Sequence, residues 1–140
     1  MSDTGLMMHS HQGELMDGVH REFLDLLARL AVCKDAQELA CADQLVAHCI
    51  EHFALEQRWM EETGMPGCEA HVQDHEDFLF RLRAARDAVA EGRVGAARAL
   101  VEDLRTWFDR HGATWDEALA VQMQFAKRSP EAERESVRIA

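Results

Sequence analysis

The 140-residue chain has no tyrosine, only two prolines and no long apolar run. Scarce proline, together with abundant Ala, Leu, Glu and Arg, favours helices. No stretch approaches the roughly 20 apolar residues that a membrane-spanning helix needs. The first residues also lack the basic and apolar regions of a secretory signal. We therefore expect a single helical domain located in the cytoplasm.

Basic residues are also scarce, since Lys and Arg number 15 against 26 Asp and Glu, and the formal net charge is -11. An acidic surface repels the phosphates of nucleic acids and the headgroups of anionic membranes. The charge balance thus argues against both as partners.

No CxxC pair is present among the cysteines, which are Cys33, Cys41, Cys49 and Cys68. A zinc site built from their thiolates is therefore not expected. In the cytoplasm they should be reduced, and we interpret them as buried thiols that act as small apolar residues.

Apolar residues recur with helical spacing in four segments. The predicted helices span about 13–33, 35–62, 66–91 and 93–129. Short connections between four helices predict an up-down-up-down bundle. The expected all-α organisation is an N-terminal arm at 1–12, a bundle at 13–127 and a polar tail at 128–140.

Local signals support these boundaries. Asp35 and Glu38 have the spacing of a capping box at the start of the second helix. Gly92 is placed to end the third helix. In the arm, His9 and His11 are able to bind a soft metal, but a loosely packed arm is the simpler interpretation.

Seven polar side chains fall at inward positions of the predicted helices. They are His20, His52, Glu56, His71, His75, His111 and Asp116. A single core histidine usually has a plain explanation, such as a hydrogen bond to a backbone carbonyl. Burying an unpaired imidazole or carboxylate costs several kcal/mol, so seven of them in one small core indicate bound metal.

The spacing of the inward residues supports a metal site. His52 and Glu56 are four residues apart, as are His71 and His75, and residues with that spacing share a helix face. Imidazole and carboxylate without thiolate suit iron, copper, zinc or manganese. Seven ligands exceed the four that one zinc takes and fit two metals bridged by carboxylates. Iron is the natural candidate, since such sites leave positions open for dioxygen.

His111 and Asp116 are five residues apart, which is roughly 140° around an ideal helix. They share a face only if the helix is distorted. A π-bulge near 111–116, eased by Gly112, would bring them together.

The motifs resemble those of the hemerythrin family, in particular the single-domain bacterial hemerythrins, over about residues 13–126. The family pattern is a first-helix histidine, HFxxE, HxxxH, and HxxxxD preceded by a tryptophan. The resemblance implies a non-haem di-iron centre with an oxo or hydroxo bridge. One iron would be held by His71, His75 and His111, and the other by His20 and His52, with Glu56 and Asp116 bridging. Dioxygen or another small diatomic ligand would bind the second iron.

The side chains expected around that ligand are mainly apolar. They are Phe23, Leu27, Trp107, Phe108, Gly112 and Trp115. The family usually has isoleucine where this chain has Gly112, so the resemblance implies a larger pocket that admits water and speeds oxidation to the diferric state.

Three functions compete at this point. A dioxygen-binding protein for storage, delivery or sensing needs a dry pocket, and we rank it first. A di-iron enzyme with peroxidase-like, oxidase or nitric-oxide-handling activity needs solvent access. A metal-free interaction module is disfavoured by the seven inward polar residues.

Overall fold

The computed structural model describes residues 11–64 and 68–112 and the isolated residues 118 and 121. Within these residues the chain forms four α-helices and no strand. They are α1 (His11–Val32), α2 (Glu38–Thr63), α3 (Cys68–Ala90) and α4 (Val101–His111). The all-α helical bundle predicted from the apolar periodicity is thus confirmed. None of the described helices is long and apolar enough to cross a membrane.

Helix α2 packs against both α1 and α3, and α1 also contacts α4. On α1 the buried residues Phe23, Leu27 and Leu30 form one stripe at spacings of four and three. On α2 a second stripe is buried along its whole length. Its members are Leu45, Cys49, His52, Glu56 and Met60.

Both long central helices end at a glycine in the left-handed region. Gly64 follows α2 with φ 64° and bonds back to the last turn. After α3, Gly92 has φ 105° and donates to the Val89 carbonyl at 2.9 Å, while the Arg93 N–H donates to the Ala88 carbonyl at 2.9 Å. This pair of bonds is a Schellman motif, so the expected stop at Gly92 is confirmed.

The predicted start of the fourth helix at about Arg93 is wrong. Turns occupy the chain after α3, and Gly95 is a second left-handed residue there, with φ 91°. A 3₁₀ turn at Arg98–Leu100 then leads into α4, which begins at Val101. The connection between α3 and α4 is therefore longer than the sequence pattern predicts.

The capping box expected at Asp35 and Glu38 is also wrong. Glu38 is fully buried, and its carboxylate accepts the backbone N–H groups of Gly95, Ala97 and Arg98 at 2.7, 3.0 and 3.0 Å. The Asp35 carboxylate pairs with the Arg98 guanidinium. Glu38 therefore caps the helical segment that starts at Arg98, about 60 residues along the chain, rather than its own helix.

The four cysteines are free thiols, but only Cys49 is buried, while Cys33, Cys41 and Cys68 are half-buried. Burial raises the pKa of the Cys49 thiol. The expectation that these residues are buried apolar side chains therefore holds for Cys49 alone.

Candidate metal centre

The carboxylate of Glu56 lies fully buried at the middle of the bundle. Its Oε1 atom faces three imidazoles of α3 and α4, which we call the three-histidine group (His71, His75 and His111). The Nε2 atom of His75 lies 3.0 Å from Oε1, that of His71 3.3 Å and that of His111 3.5 Å.

The other oxygen of Glu56, Oε2, faces the two-histidine group (His20 of α1 and His52 of α2). The Nε2 atom of His52 lies 2.6 Å from Oε2, and that of His20 lies 3.5 Å away. His20 is the more open of the two, because 21% of its side chain is exposed against 2% for His52. One carboxylate therefore joins two groups of imidazoles, and every helix contributes to them.

The nitrogens of the three-histidine group are spaced as metal ligands are. Nε2 of His111 lies 3.2 Å from Nε2 of both His71 and His75. Two nitrogens bound at about 2.1 Å to one ion, at right angles, lie about 3 Å apart. Ligand atoms of this group and Glu56 all lie within 4.8 Å of one another, as do those of the two-histidine group and Glu56. Both sets of residues fit a metal ion.

Hydrogen bonds to backbone carbonyls do not account for His52 and His75, whose Nε2 atoms contact Glu56. His48 illustrates the ordinary case, because its Nε2 lies 3.1 Å from the Val19 carbonyl. By contrast, Nδ1 of His52 and of His75 is buried and has no hydrogen-bond partner among the described residues. Their Nε2 atoms point at the shared carboxylate instead, which is the orientation that metal binding through Nε2 requires.

The electrostatics of the metal-free chain favour an ionised carboxylate here. Burial by itself raises the pKa of Glu56, but contacts with the surrounding imidazoles, His111 foremost, outweigh it and hold the pKa well below its usual value. Burial lowers the pKa of His75, although Glu56 beside it favours the charged form. An ionised carboxylate beside His75, whose charged form is disfavoured by burial, is a suitable pair of donors for a cation.

Aromatic rings hold two of the imidazoles in place. Phe53 stacks on His75 with ring centres 3.9 Å apart and an interplanar angle of 5°. Trp107 stacks on His111 at 4.3 Å and 13°. Of the expected pocket residues, Trp107 therefore lies with the three-histidine group.

Asp74 was missed by the sequence analysis. Its Oδ2 atom lies 2.7 Å from Nδ1 of His111, and its Oδ1 atom accepts the Trp107 indole N–H at 3.2 Å. It lies one residue before His75, off the apolar stripe of α3, so no periodic pattern marks it.

Two aromatic residues expected in the pocket lie beside the two-histidine group. The Phe108 ring meets the His20 ring edge to face at 5.4 Å, and Phe23 stacks on Phe108 at 4.7 Å. Leu27 is buried one turn further along α1. This side of the site therefore has an apolar wall.

The end of α4 is described only in part. Gly112 follows α4 directly, is half-buried and has right-handed helical backbone angles, with φ −61° and ψ −43°. A Cβ atom added there would meet no described heavy atom within 4 Å. Trp115, Asp116 and the rest of the expected bulge lie outside the described residues, as do residues 1–10 and 128–140.

The helical fold and the buried His and Glu groups are typical of a cation-binding helical bundle. The family model described as the hemerythrin HHE cation binding domain matches residues 11–122. The chain belongs to the hemerythrin family, and its relatives are bacterial. It is 32% identical to a bacteriohemerythrin of Ralstonia nicotianae over 86% of both chains. It is 31% identical to one of Stenotrophomonas maltophilia over 79% of this chain and 74% of the relative.

A bacteriohemerythrin of Pseudomonas aeruginosa is 27% identical over 52% of this chain and 50% of the relative. No solved structure matches the chain with significance. Family membership together with the buried His and Glu groups indicates a metal-binding, non-haem iron protein.

Proposed function

We propose that the chain is a non-haem di-iron protein that binds dioxygen or another small diatomic ligand. The observation that carries the proposal is the division of Glu56 between two groups of imidazoles, with one oxygen facing each group. Glu56 would then bridge two metal ions, one beside each group of imidazoles.

The unequal numbers of imidazoles support a ligand position at one of the two ions. Three imidazoles and Glu56 would hold the first iron, and two imidazoles and Glu56 the second. Asp116 would be the second protein bridge, and an oxo or hydroxo group would complete the link. The ion at His20 and His52 would have fewer protein ligands and therefore room for an incoming ligand.

Ferrous iron, when bound, supplies electrons and an open coordination position for dioxygen. The protein's own residues do the rest. The imidazoles would orient the ions, Glu56 would offset their charge, and Phe23 with Phe108 forms an apolar wall beside His20. We expect storage, delivery or sensing of dioxygen in the cytoplasm, with no enzymatic turnover.

One observation favours a second candidate, a di-iron enzyme with peroxidase-like, oxidase or nitric-oxide-handling activity. The space beside Gly112 is open among the described residues. Water entering there would protonate reduced oxygen species and let them leave, as a turnover cycle needs.

Iron analysis of the purified protein tests the metal centre. We expect about two irons per chain, since a bridging carboxylate implies a pair of metals. A fully folded protein that takes up no iron under anaerobic ferrous loading would reject the proposal.

Optical spectroscopy distinguishes the two candidates. Dioxygen is added to the anaerobically reduced protein, then removed. A visible charge-transfer band that vanishes on deoxygenation and returns on reoxygenation supports ligand binding. Immediate passage to the diferric spectrum, with sustained consumption of peroxide or nitric oxide by the reduced protein, would support the enzyme instead.

A further inference from the structure

We infer that Asp74 is a positioning residue for the metal centre, because it fixes the tautomer and the ring orientation of His111. The inference rests on the proposed metal site. It assigns a role to a position that the HxxxH motif leaves unspecified.

Hydrogen bonding sets the tautomer. An ionised carboxylate only accepts hydrogen bonds, and Oδ2 of Asp74 lies 2.7 Å from Nδ1 of His111. With Asp74 as the acceptor, Nδ1 carries the proton. A neutral His111 ring then has its lone pair on Nε2, which faces His71, His75 and Glu56.

Trp107 also constrains the orientation of the His111 ring. The other oxygen of Asp74 accepts the indole N–H of Trp107 at 3.2 Å. Trp107 in turn stacks on the His111 ring at 4.3 Å and 13°. One carboxylate thus acts on His111 directly through Nδ1 and indirectly through the stacked indole. Trp107 and His111 are buried, at 5% and 2% exposed, and the Asp74 side chain is half-buried, at 30% exposed.

The position of Asp74 on α3 connects it to all members of the three-histidine group. Asp74 lies on α3 between His71 and His75, which belong to the same group as His111. The turn of α3 that supplies two imidazoles therefore also orients the third, which comes from α4. A carboxylate behind a ligating histidine raises its basicity, and its loss typically weakens metal binding roughly 10- to 100-fold.

The test compares Asp74→Ala and Asp74→Asn with a matched control, Asp77→Asn. Asp77 is an exposed aspartate of the same helix, and its carboxylate accepts a hydrogen bond only from Gln73 among the contacts described. The first readout is ¹⁵N NMR of the imidazoles in metal-free protein. We expect the Nδ1–H form of His111 in the natural protein and in Asp77→Asn, and a mixture of tautomers in Asp74→Ala.

The second readout is Zn²⁺ affinity by competition with a chromophoric chelator. We expect a roughly 10- to 100-fold loss for Asp74→Ala, a smaller loss for Asp74→Asn and no change for Asp77→Asn. Asparagine keeps the shape and one acceptor, so it remains informative if alanine prevents folding.

Two results would overturn the inference. One is an unchanged His111 tautomer in folded Asp74→Asn and Asp74→Ala. The other is loss of stability in these variants with Zn²⁺ affinity equal to that of Asp77→Asn, which is what a purely structural tether between α3 and α4 predicts. A natural protein that binds no metal would instead reject the metal centre, and the NMR readout would still decide what Asp74 does to His111.

Discussion

Gly112 is the residue at which the sequence resemblance predicts a departure from the family pattern beside the candidate metal centre. It follows His111 directly, and no described atom lies within 4 Å of a Cβ added there. Replacement by isoleucine should fill that space, exclude water and slow autoxidation of the dioxygen-bound protein several-fold. The rate is followed by the loss of the charge-transfer band with time.

Gly112→Ala is the matched control, because it adds one carbon without reaching far into the pocket. It should give an intermediate rate. An identical rate in all three proteins would mean that residue 112 does not wall the ligand pocket.

His75 and His48 differ in what their Nε2 atoms contact, and this makes them a pair for testing the ligands. Nε2 of His75 faces Glu56 at 3.0 Å, whereas Nε2 of His48 faces the Val19 carbonyl. His75→Ala should lose iron from the three-histidine group, while His48→Ala should retain its full content. Iron is measured per folded chain, and full retention in His75→Ala would contradict the ligand assignment.

Whether a site residue can be predicted from the sequence depends on how far along the chain its partners lie. His52, Glu56, His71 and His75 repeat with the helical period, so the sequence alone places them in the core. The partners of Asp74 lie 33 and 37 residues away, and no local pattern encodes them. The assignment of individual ligands to ions remains a prediction.

At the level of the helices, the start of the α4 segment depends on Glu38 of α2. Burial alone raises the pKa of this carboxyl, but the three backbone N–H groups and Arg98 outweigh it and lower the pKa. Hydrogen bonds to a charged group contribute about 1.5–3 kcal/mol each. Glu38→Gln should therefore lower the free energy of unfolding by about 3 kcal/mol, measured in urea on metal-free protein near neutral pH.

The pH dependence has a definite sign. Because the pKa of Glu38 is lower in the folded chain, its contribution is complete above the ordinary carboxyl pKa and is lost as pH falls through the folded value. The difference between Glu38→Gln and the natural protein should shrink in acid. Asp35→Asn, which alters an exposed ion pair with Arg98, should cost at most about 1 kcal/mol. Equal effects of the two variants would contradict the assignment of Glu38 as the cap.

Gly92 provides a separate test of how α3 ends. Its φ of 105° is unfavourable for any residue with a side chain, and no atom lies within 4 Å of an added Cβ. Gly92→Ala should therefore destabilise the protein by about 1–2 kcal/mol through backbone strain alone. Gly18→Ala, inside α1, should stabilise it by about 0.5–1 kcal/mol. Thermal unfolding of both variants checks the opposite signs.

The same helix ends show why the boundaries were only partly predictable. Gly92 is a local signal, and its stop was predicted correctly. The start of α4 was not predicted correctly, because residues 96–100 are ordinary helix formers. The left-handed Gly95 and the distant Glu38 determine where the helix begins. Interactions across more than 50 residues override local propensity there.

For the whole molecule, metal and stability should be linked. An ion that binds only the folded chain stabilises it by about 2.7 kcal/mol at 100 times its Kd. Anaerobic ferrous iron should raise the unfolding temperature, and a chelator should reverse the shift. Mg²⁺, which prefers oxygen ligands, is the control and should have little effect. An unfolding temperature that does not change when ferrous iron is added would contradict a metal centre in the core.

The contacts around Glu56 also relate metal binding to the folding of the chain. Its contacts reach 36 residues back to His20 and 19 residues forward to His75, and His71 meets His111 across 40 residues. A nascent chain can offer a metal only the adjacent pairs His52–Glu56 and His71–His75. The complete set of donors exists only once all four helices have met. A metal that needs the complete set of donors would therefore bind to packed helices rather than to the nascent chain, and its binding would be coupled to folding.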